Sequence, residues 1–173
     1  MKNLTLMVGW LFLVGGVATV QAAPVGTAKA TIVNAQGEQI GSAQLKQTAR
    51  GVLITLNVSK LPPGMHAFHI HSVGKCDPPD FKSAGPHFNP TGKKHGKKNP
   101  EGHHAGDLPN ISVKPSGKGY VGVVVPDVTL GPGPNSLFSP EGTSIVIHAK
   151  PDDETTDPAG NAGDRIACGV ITQ

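Results

Sequence analysis

His66-Ala67-Phe68-His69-Ile70-His71 reads as a β-strand with two unlike faces. Side chains alternate across a strand, so His69 and His71 share one side while His66, Phe68 and Ile70 share the other. Phe68 and Ile70 ask for an apolar core. Two imidazoles two residues apart on the opposite side can chelate one ion, and neutral imidazole is the commonest protein ligand of zinc and copper. The stretch therefore predicts a sheet with one apolar face and one ligating face. His66 has the parity of the apolar residues, and its expected role is structural, a buried ring whose nitrogens bond to backbone.

Working outward, the pattern stays that of a β protein. Glycine (23) and proline (16) are abundant, and helical periodicity is nearly missing after the first 22 residues. Short runs rich in β-branched residues alternate with turn signals. They predict strands over Thr27–Asn34, Gln39–Lys46, Val52–Val58, His66–His71, Ile111–Lys114, Gly119–Val125, Ser144–Ala149 and Ile166–Ile171. Asn34-Ala35-Gln36-Gly37 has the composition of a hairpin turn. The expected fold is an all-β antiparallel barrel or sandwich. Two connections, Ser72–Asn110 and Lys150–Arg165, are too long for simple turns, and such loops in a compact domain are usually functional. The first carries His87, His95, His103, His104 and Cys76; the second is rich in Asp, Gly and Pro.

The N-terminus reads as an export signal over residues 1–22. Lys2 is its lone charge, Leu4–Val20 is apolar, and Val20-Gln21-Ala22 fits a small-x-small cleavage site. The apolar stretch is short for a spanning helix and contains Gly9, Gly15 and Gly16, so no stable membrane insertion is expected after cleavage. The remaining domain, 23–173, is long enough for a single core. Its net charge is +2 (14 basic minus 12 acidic once Lys2 is removed). So mild a balance gives no footprint for nucleic acid. Export together with two cysteines predicts one disulfide, Cys76–Cys168.

Further ligand candidates follow from parity and spacing. In Ile145-Val146-Ile147-His148 the histidine lies opposite in parity to the isoleucines, and the chain already offers a pair it could join. In the long loop, His87 sits in Gly85-Pro86-His87-Phe88-Asn89-Pro90, His95 follows, and His104 and Asp107 are three apart. Three imidazoles and a carboxylate make a tetrahedral zinc shell. On spacing alone, a zinc site and an ordinary histidine-bearing loop both stay open.

Four segments carry a resemblance. Gly64-Met-His-Ala-Phe-His-Ile-His71, Ala84-Gly-Pro-His-Phe-Asn-Pro90, His104-Ala-Gly-Asp-Leu-Pro109 and Gly160-Asn-Ala-Gly-Asp-Arg-Ile-Ala-Cys-Gly169 resemble, in order, the signature segments of the copper/zinc superoxide dismutase family. The resemblance implies an eight-stranded Greek-key β-barrel with two functional loops. It implies copper held by His69, His71, His87 and His148, and zinc held by His87, His95, His104 and Asp107, one of each metal per chain. His87 would bridge the two ions through its two nitrogens. The implied reaction is dismutation of superoxide to dioxygen and hydrogen peroxide by a redox-cycling copper, an antioxidant activity outside the cytoplasm. The implied catalytic residues are His87, which relays a proton, and Arg165, which docks the anion. Asp152 would accept hydrogen bonds from His69 and His95. The disulfide would tie the first long loop to the last strand.

His103 falls where the family has no ligand and is expected to be a solvated loop residue. Pro158-Ala159 stands where many members place Lys-Thr, so the resemblance leaves electrostatic guidance and channel width open for this chain, although not the metal ligands. Lys93, Lys94, Lys97 and Lys98 surround His95 and read either as a solvated face or as an attractive field for an anion. Noncatalytic relatives lack a copper ligand or the arginine, and this chain keeps all five. A zinc hydrolase would need an open coordination position, which the four-ligand zinc set does not leave. Family members occur as monomers and as dimers, so a homodimer stays open, as does the choice between periplasm, cell envelope and medium. Asn57-Val-Ser59 and Asn110-Ile-Ser112 fit a glycosylation pattern.

Overall fold

The computed structural model describes residues 26–173; the expected signal segment, 1–22, lies outside the described residues. The described residues form nine antiparallel strands: β1 Thr27–Asn34, β2 Gln39–Thr48, β3 Gly51–Val58, β4 Gly64–His66, β5 Phe68–His71, β6 Ile111–Val113, β7 Gly119–Val125, β8 Ser144–His148 and β9 Arg165–Val170. Among the described residues the one helical element is a 3-10 turn, Lys82–Ala84. No helix there is long and apolar enough to cross a membrane.

Local sequence accounts for the first hairpin. In β1, Ala28, Ala30 and Ile32 face inward while Thr27, Lys29 and Thr31 face out. The turn closes because Asn34 Oδ1 accepts from the backbone N–H of Gln36 (3.0 Å) and Glu38 (2.9 Å). β3 buries Val52, Ile54, Leu56 and Val58 in the same alternation. With Ile32, Phe68, Ile70, Leu108, Ile111, Leu137, Ile145 and Ile147 these residues make one continuous core.

The strand order is β4-β6-β7-β3-β2-β1-β9-β8-β5. Its two outermost members, β4 and β5, are consecutive in the chain and separated only by Ala67. One stretch of chain thus supplies both edges of the sheet, which closes it into a nearly complete barrel, consistent with a Greek key, and removes exposed edges. The strand expected at His66–His71 is therefore two strands, and the expected eight become nine. The reason is a change of partner: His66 pairs with Ile111 of β6, whereas Phe68 pairs with Ile147 of β8. Ala67 loses no hydrogen bond at the switch, since its N–H donates to Lys150 O and its carbonyl accepts from His148 N–H, both at 2.9 Å.

Connections 72–110 and 149–164 are long, as expected. A third long connection, 126–143, carries no histidine and is not distinguished by the sequence pattern. It is structural: Val128, Leu130 and Leu137 enter the core, and Gln47 Oε1 accepts from Thr129 Oγ1 (3.0 Å) and Leu130 N–H (2.7 Å). The 72–110 loop makes a second small core on the outer side of β8 and β9, where Phe81 and Ala84 are packed on Val146 and Cys168. Both faces of β8 are buried for this reason.

Cys76 and Cys168 form a disulfide with Cα atoms 5.6 Å apart across 92 residues of sequence. The chain-entropy relation gives about 4–5 kcal/mol for a closed loop of that size. Reduction is expected to shift the urea midpoint by a corresponding amount; an unshifted midpoint would show that the denatured chain does not gain the freedom assumed.

Candidate metal centre

The site is built on the outer face of β5 and β8. His69 lies opposite Val146 and His71 opposite Ser144, so both rings stand on the side away from Phe68 and Ile70. His148 follows Val146 by two on the same face. The 72–110 loop then runs along β5. Phe88 N–H donates to Ile70 O (2.8 Å), Ile70 N–H to Gly106 O (2.9 Å), and Ser72 N–H to Pro86 O (2.9 Å). These bonds place His87 beside His71 and Asp107 beside His69. Gly106 is required at this close approach, because a Cβ there would collide with the Ile70 carbonyl.

Two clusters result, and they share His87. His69, His71, His87 and His148 each bring one ligating atom within 4.8 Å of the others, and so do His87, His95, His104 and Asp107. All seven residues are buried. In the first cluster, His69 Nδ1 and the Nε2 atoms of His71, His87 and His148 have no hydrogen-bond partner; among the described residues they are the only buried side-chain polar atoms in that state. The opposite nitrogens of three of these rings are held: His69 Nε2 by Asp152 Oδ2 (2.8 Å), His71 Nδ1 by Gly85 O (2.8 Å) and His148 Nδ1 by Gly163 O (3.2 Å). Each held nitrogen carries the proton it donates, so the free nitrogen presents a lone pair. Four buried lone pairs facing one point cost about 1–3 kcal/mol each unless something satisfies them, and a metal ion does.

The second cluster has a different geometry. Asp107 Oδ1 lies 3.0, 2.9 and 3.4 Å from Nδ1 of His87, His95 and His104, and the His87 and His104 Nδ1 atoms are 3.3 Å apart. Ligands about 2.0 Å from a tetrahedral ion are separated by about 3.3 Å. These contacts are the edges of such a shell. Asp107 Oδ2 accepts from Gly96 N–H (2.9 Å) and His104 N–H (3.0 Å), which fixes the carboxylate. Thus His87 offers Nε2 to one cluster and Nδ1 to the other.

Asp152 couples the clusters a second time. Its Oδ2 faces His69 Nε2 and its Oδ1 faces His95 Nε2 at 3.0 Å. Asn110 clamps it, donating from Nδ2 to Asp152 O (3.0 Å) and accepting Asp152 N–H at Oδ1 (2.7 Å). Gly160, at φ 62°, leaves room for the carboxylate; a Cβ there would collide with Asp152 and approach His95 Nε2 to 2.8 Å.

Electrostatics divide the two sets. Burial holds the His69 ring down to about 3 and the His148 ring down to about 4, and it lowers His71 and His87 as well. Burial acts against charge on His95 too, but the carboxylates of Asp107 and Asp152 on its two nitrogens outweigh it and push the ring up to about 9. Burial alone would raise Asp107 and Asp152, yet their imidazole partners hold both carboxyls below the usual range. Lowered imidazoles bind protons less readily folded than unfolded, so in metal-free protein their contribution is lost as pH falls from about 6.5 toward 3–4. His95 has the opposite sign: its contribution is full below about 6.5 and fades as pH rises through about 9. The metal-free chain is therefore expected to be most stable near neutrality. Urea midpoints across pH 4–10 that stay flat would contradict the assignment.

Arg165 opens β9 beside His148. Its Nη1 donates to Phe81 O and its Nη2 to Gly85 O, both at 2.8 Å. Gly85 O also accepts from His71, so guanidinium and ring share one anchor. A cleft of 280 Å³ exposes His71, His87, His148 and Arg165 behind a rim of Pro158 and Ala159. It opens on the first cluster and lacks His95, His104 and Asp107.

His66 sits where parity put it, with Nδ1 2.8 Å from His148 O and Nε2 2.8 Å from Pro62 O. His103 differs from expectation: it is half-buried and meets Asp127 Oδ2 at 3.2 Å, linking the 72–110 loop to the 126–143 loop. The four lysines also divide. Lys94 pairs with Asp157 (3.5 Å) and Lys98 with Glu154 (2.7 Å), which joins the two functional loops; Lys93 and Lys97 make no ion pair among the described residues. Sequence reasoning missed two supports. Asp157 Oδ1 accepts His95 N–H at 2.7 Å, and Asn110, read only as a glycosylation pattern, is committed to Asp152. Those contacts span 62 and 42 residues, and no local signal announces them.

The family model for copper/zinc superoxide dismutase matches residues 39–171. The chain belongs to the copper/zinc superoxide dismutase family. A relative named superoxide dismutase (Cu-Zn) 1, from Aquifex aeolicus (strain VF5), is 62% identical over 144 residues, covering 82% of this chain and 85% of its own. Among solved structures, a superoxide dismutase-like protein from Bacillus subtilis superposes with a TM-score of 0.80 at 41% identity, covering 82% of this chain and 96% of the other. Cu/Zn superoxide dismutase from Brucella abortus gives a TM-score of 0.69 at 28% identity, covering 85% and 100%. Family membership gives the two clusters their metals: copper at the all-imidazole cluster, zinc at the cluster containing Asp107.

Proposed function

We propose that the chain dismutes superoxide, converting two superoxide ions and two protons to dioxygen and hydrogen peroxide. One observation carries the reading. Four buried, unpartnered nitrogens converge, and one of them belongs to a ring whose other nitrogen completes a tetrahedral His3Asp set. When bound, copper supplies the one-electron couple and zinc a redox-silent charge. Copper would be held by His69, His71, His87 and His148, and zinc by His87, His95, His104 and Asp107.

The residues then have distinct tasks. His69, His71 and His148 keep their lone pairs on the site because Asp152, Gly85 and Gly163 hold the proton on each opposite nitrogen. His87 lines the cleft and its Nε2 belongs to the copper set, so it is the atom placed to take a proton and pass it to reduced substrate. Arg165, pinned to two carbonyls, presents a fixed cation to a small anion. The narrow cleft excludes larger oxidants and reductants. Asp152 keeps His69 and His95 in register, so that the two metal sets hold His87 from opposite sides.

Metal analysis beside a superoxide assay tests the reading. Copper and zinc near one each per chain, with activity lost on copper removal, are expected; full activity without copper would overturn it. Arg165→Ala is expected to lower the second-order rate about tenfold at low ionic strength, by analogy with loss of one steering charge, while metal content holds. An unchanged rate would remove Arg165 from substrate docking.

Export rests on Leu4–Val20 with Val20-Gln21-Ala22 and on the disulfide, which persists in oxidising compartments. The functional domain is then 23–173, in the periplasm, the cell envelope or the medium. Every site residue comes from one chain, so the chemistry is complete within a protomer, and a homodimer would pair two full sites.

A further inference from the structure

The zinc-side rings differ in what their second nitrogen meets. His95 Nε2 meets Asp152, and His87 Nε2 belongs to the copper set. His104 makes its side-chain contacts through Nδ1. Its Nε2 has no protein partner among the described residues and is not one of the buried unpartnered atoms, so it lies at the small exposed part of a side chain that is 8% exposed. Zinc on Nδ1 leaves the proton on Nε2, so His104 presents a single N–H donor outward. The inference rests in this respect on the zinc assignment above.

His104 lines a cavity of 550 Å³ between the two functional loops, which adjoins the 280 Å³ cleft over the copper set and shares Pro86, His87 and Pro158 with it. Its volume lies in the range of small-molecule sites. Three groups bring charge to it: Lys93, Lys94 and Asp157. Asp157 is already spent, with Oδ1 on His95 N–H and Oδ2 on Lys94 Nζ. Lys93 has no such partner, so the balance is positive by one. Ser72 and Asn89 add uncharged polar groups, and the rest of the wall is an apolar stretch of Phe88 with Pro86, Pro90 and Pro158. A hydrated inorganic ion gains nothing from three prolines and a phenyl ring, but a hydrocarbon body does.

We propose that this cavity binds a small organic carboxylate, with its oxygens on His104 Nε2–H and near Lys93 and its apolar body on the proline wall. A carboxylate on the outer nitrogen of a ligating histidine raises the ring's basicity as a ligand. The bound acid would therefore tighten zinc, and by linkage zinc would tighten the acid by the same factor. The cavity then acts as an effector site on the structural metal, beside the substrate's entrance and sharing His87, Pro86 and Pro158 with it.

Benzoate is a suitable probe. Full-length protein loaded with zinc and copper(I), which is diamagnetic, would be titrated at constant ionic strength while histidine ring signals are followed by 1H–15N NMR. The expected result is a saturable shift of His104 Nε2–H with benzoate and none with chloride. Lys93→Gln should weaken the binding about threefold, the scale of one exposed charge, whereas Lys118→Gln, which lies outside the cavity, should not. An equal or larger saturable shift with inorganic phosphate would overturn the organic carboxylate in favour of a plain anion site. No shift, with His104 Nδ1 keeping its metal-bound 15N position, would overturn the inference outright. Loss of that metal-bound position before any benzoate is added would instead overturn the zinc assignment.

Discussion

Replacing His87 by alanine is expected to cut dismutation by about 10²–10⁴-fold, the scale on which a positioned proton donor contributes, and to weaken both metals at once. The double effect is the informative part. The ring is 4% exposed, and its two nitrogens serve different clusters. Its removal takes one ligand of four from each. Asp107 Oδ1 also loses one of the three imidazole nitrogens ranged around it. His69→Ala, by contrast, should release copper and leave zinc in place. The measurement is metal content and copper EPR on protein isolated at equal folding yield, followed by rate per bound copper. A His87→Ala protein that keeps zinc tightly and turns over within about twofold of the parent at equal copper would break the bridged arrangement.

Asp152→Asn is the second large expectation. Both rings it serves must donate through Nε2, since Nδ1 of each is turned to a metal set. A carboxylate accepts from both; an amide accepts from one and sets its own N–H against the other. His69 and His95 are fully buried, so neither Nε2–H can turn to water. An unsatisfied buried donor costs about 1–3 kcal/mol, and loss of an orienting partner typically costs about 10–100-fold in metal affinity. Asn110 clamps the backbone of residue 152 rather than its side chain, so the position itself should survive the substitution. Chelator competition should show both metals released more readily, which separates Asp152 from a residue that serves one site alone. Retention equal to the parent would reduce Asp152 to a packing residue.

Much of this site is legible in the order of amino acids because its ligands lie on short, regular pieces of chain. His69 and His71 announce a shared face by period-two alternation, as does His148 against Ile145 and Ile147. That alternation is a local property of extended backbone. The zinc set is harder to read. His95, His104 and Asp107 sit in a loop without periodicity, and only likeness to a family distinguishes them from an ordinary polar segment. Asn110 and Asp157 are out of reach altogether, since each acts on a residue dozens of positions away through contacts that no local pattern encodes.

The broken strand shows the same boundary within the fold. From His66 to His71 the alternation runs on without a fault, and nothing in it marks Ala67 as the point where one neighbour gives way to another. The amino-acid order by itself determined an all-β chain, its inward residues, the disulfide pair and the ligating face of β5. Tertiary structure alone decided that β4 and β5 close the barrel from its two edges, that 126–143 plugs into the core, and which nitrogen of each ring is free. Alternation is settled by neighbours along the chain, whereas a partner, a closure or a tautomer is settled by groups that meet only after the chain has folded.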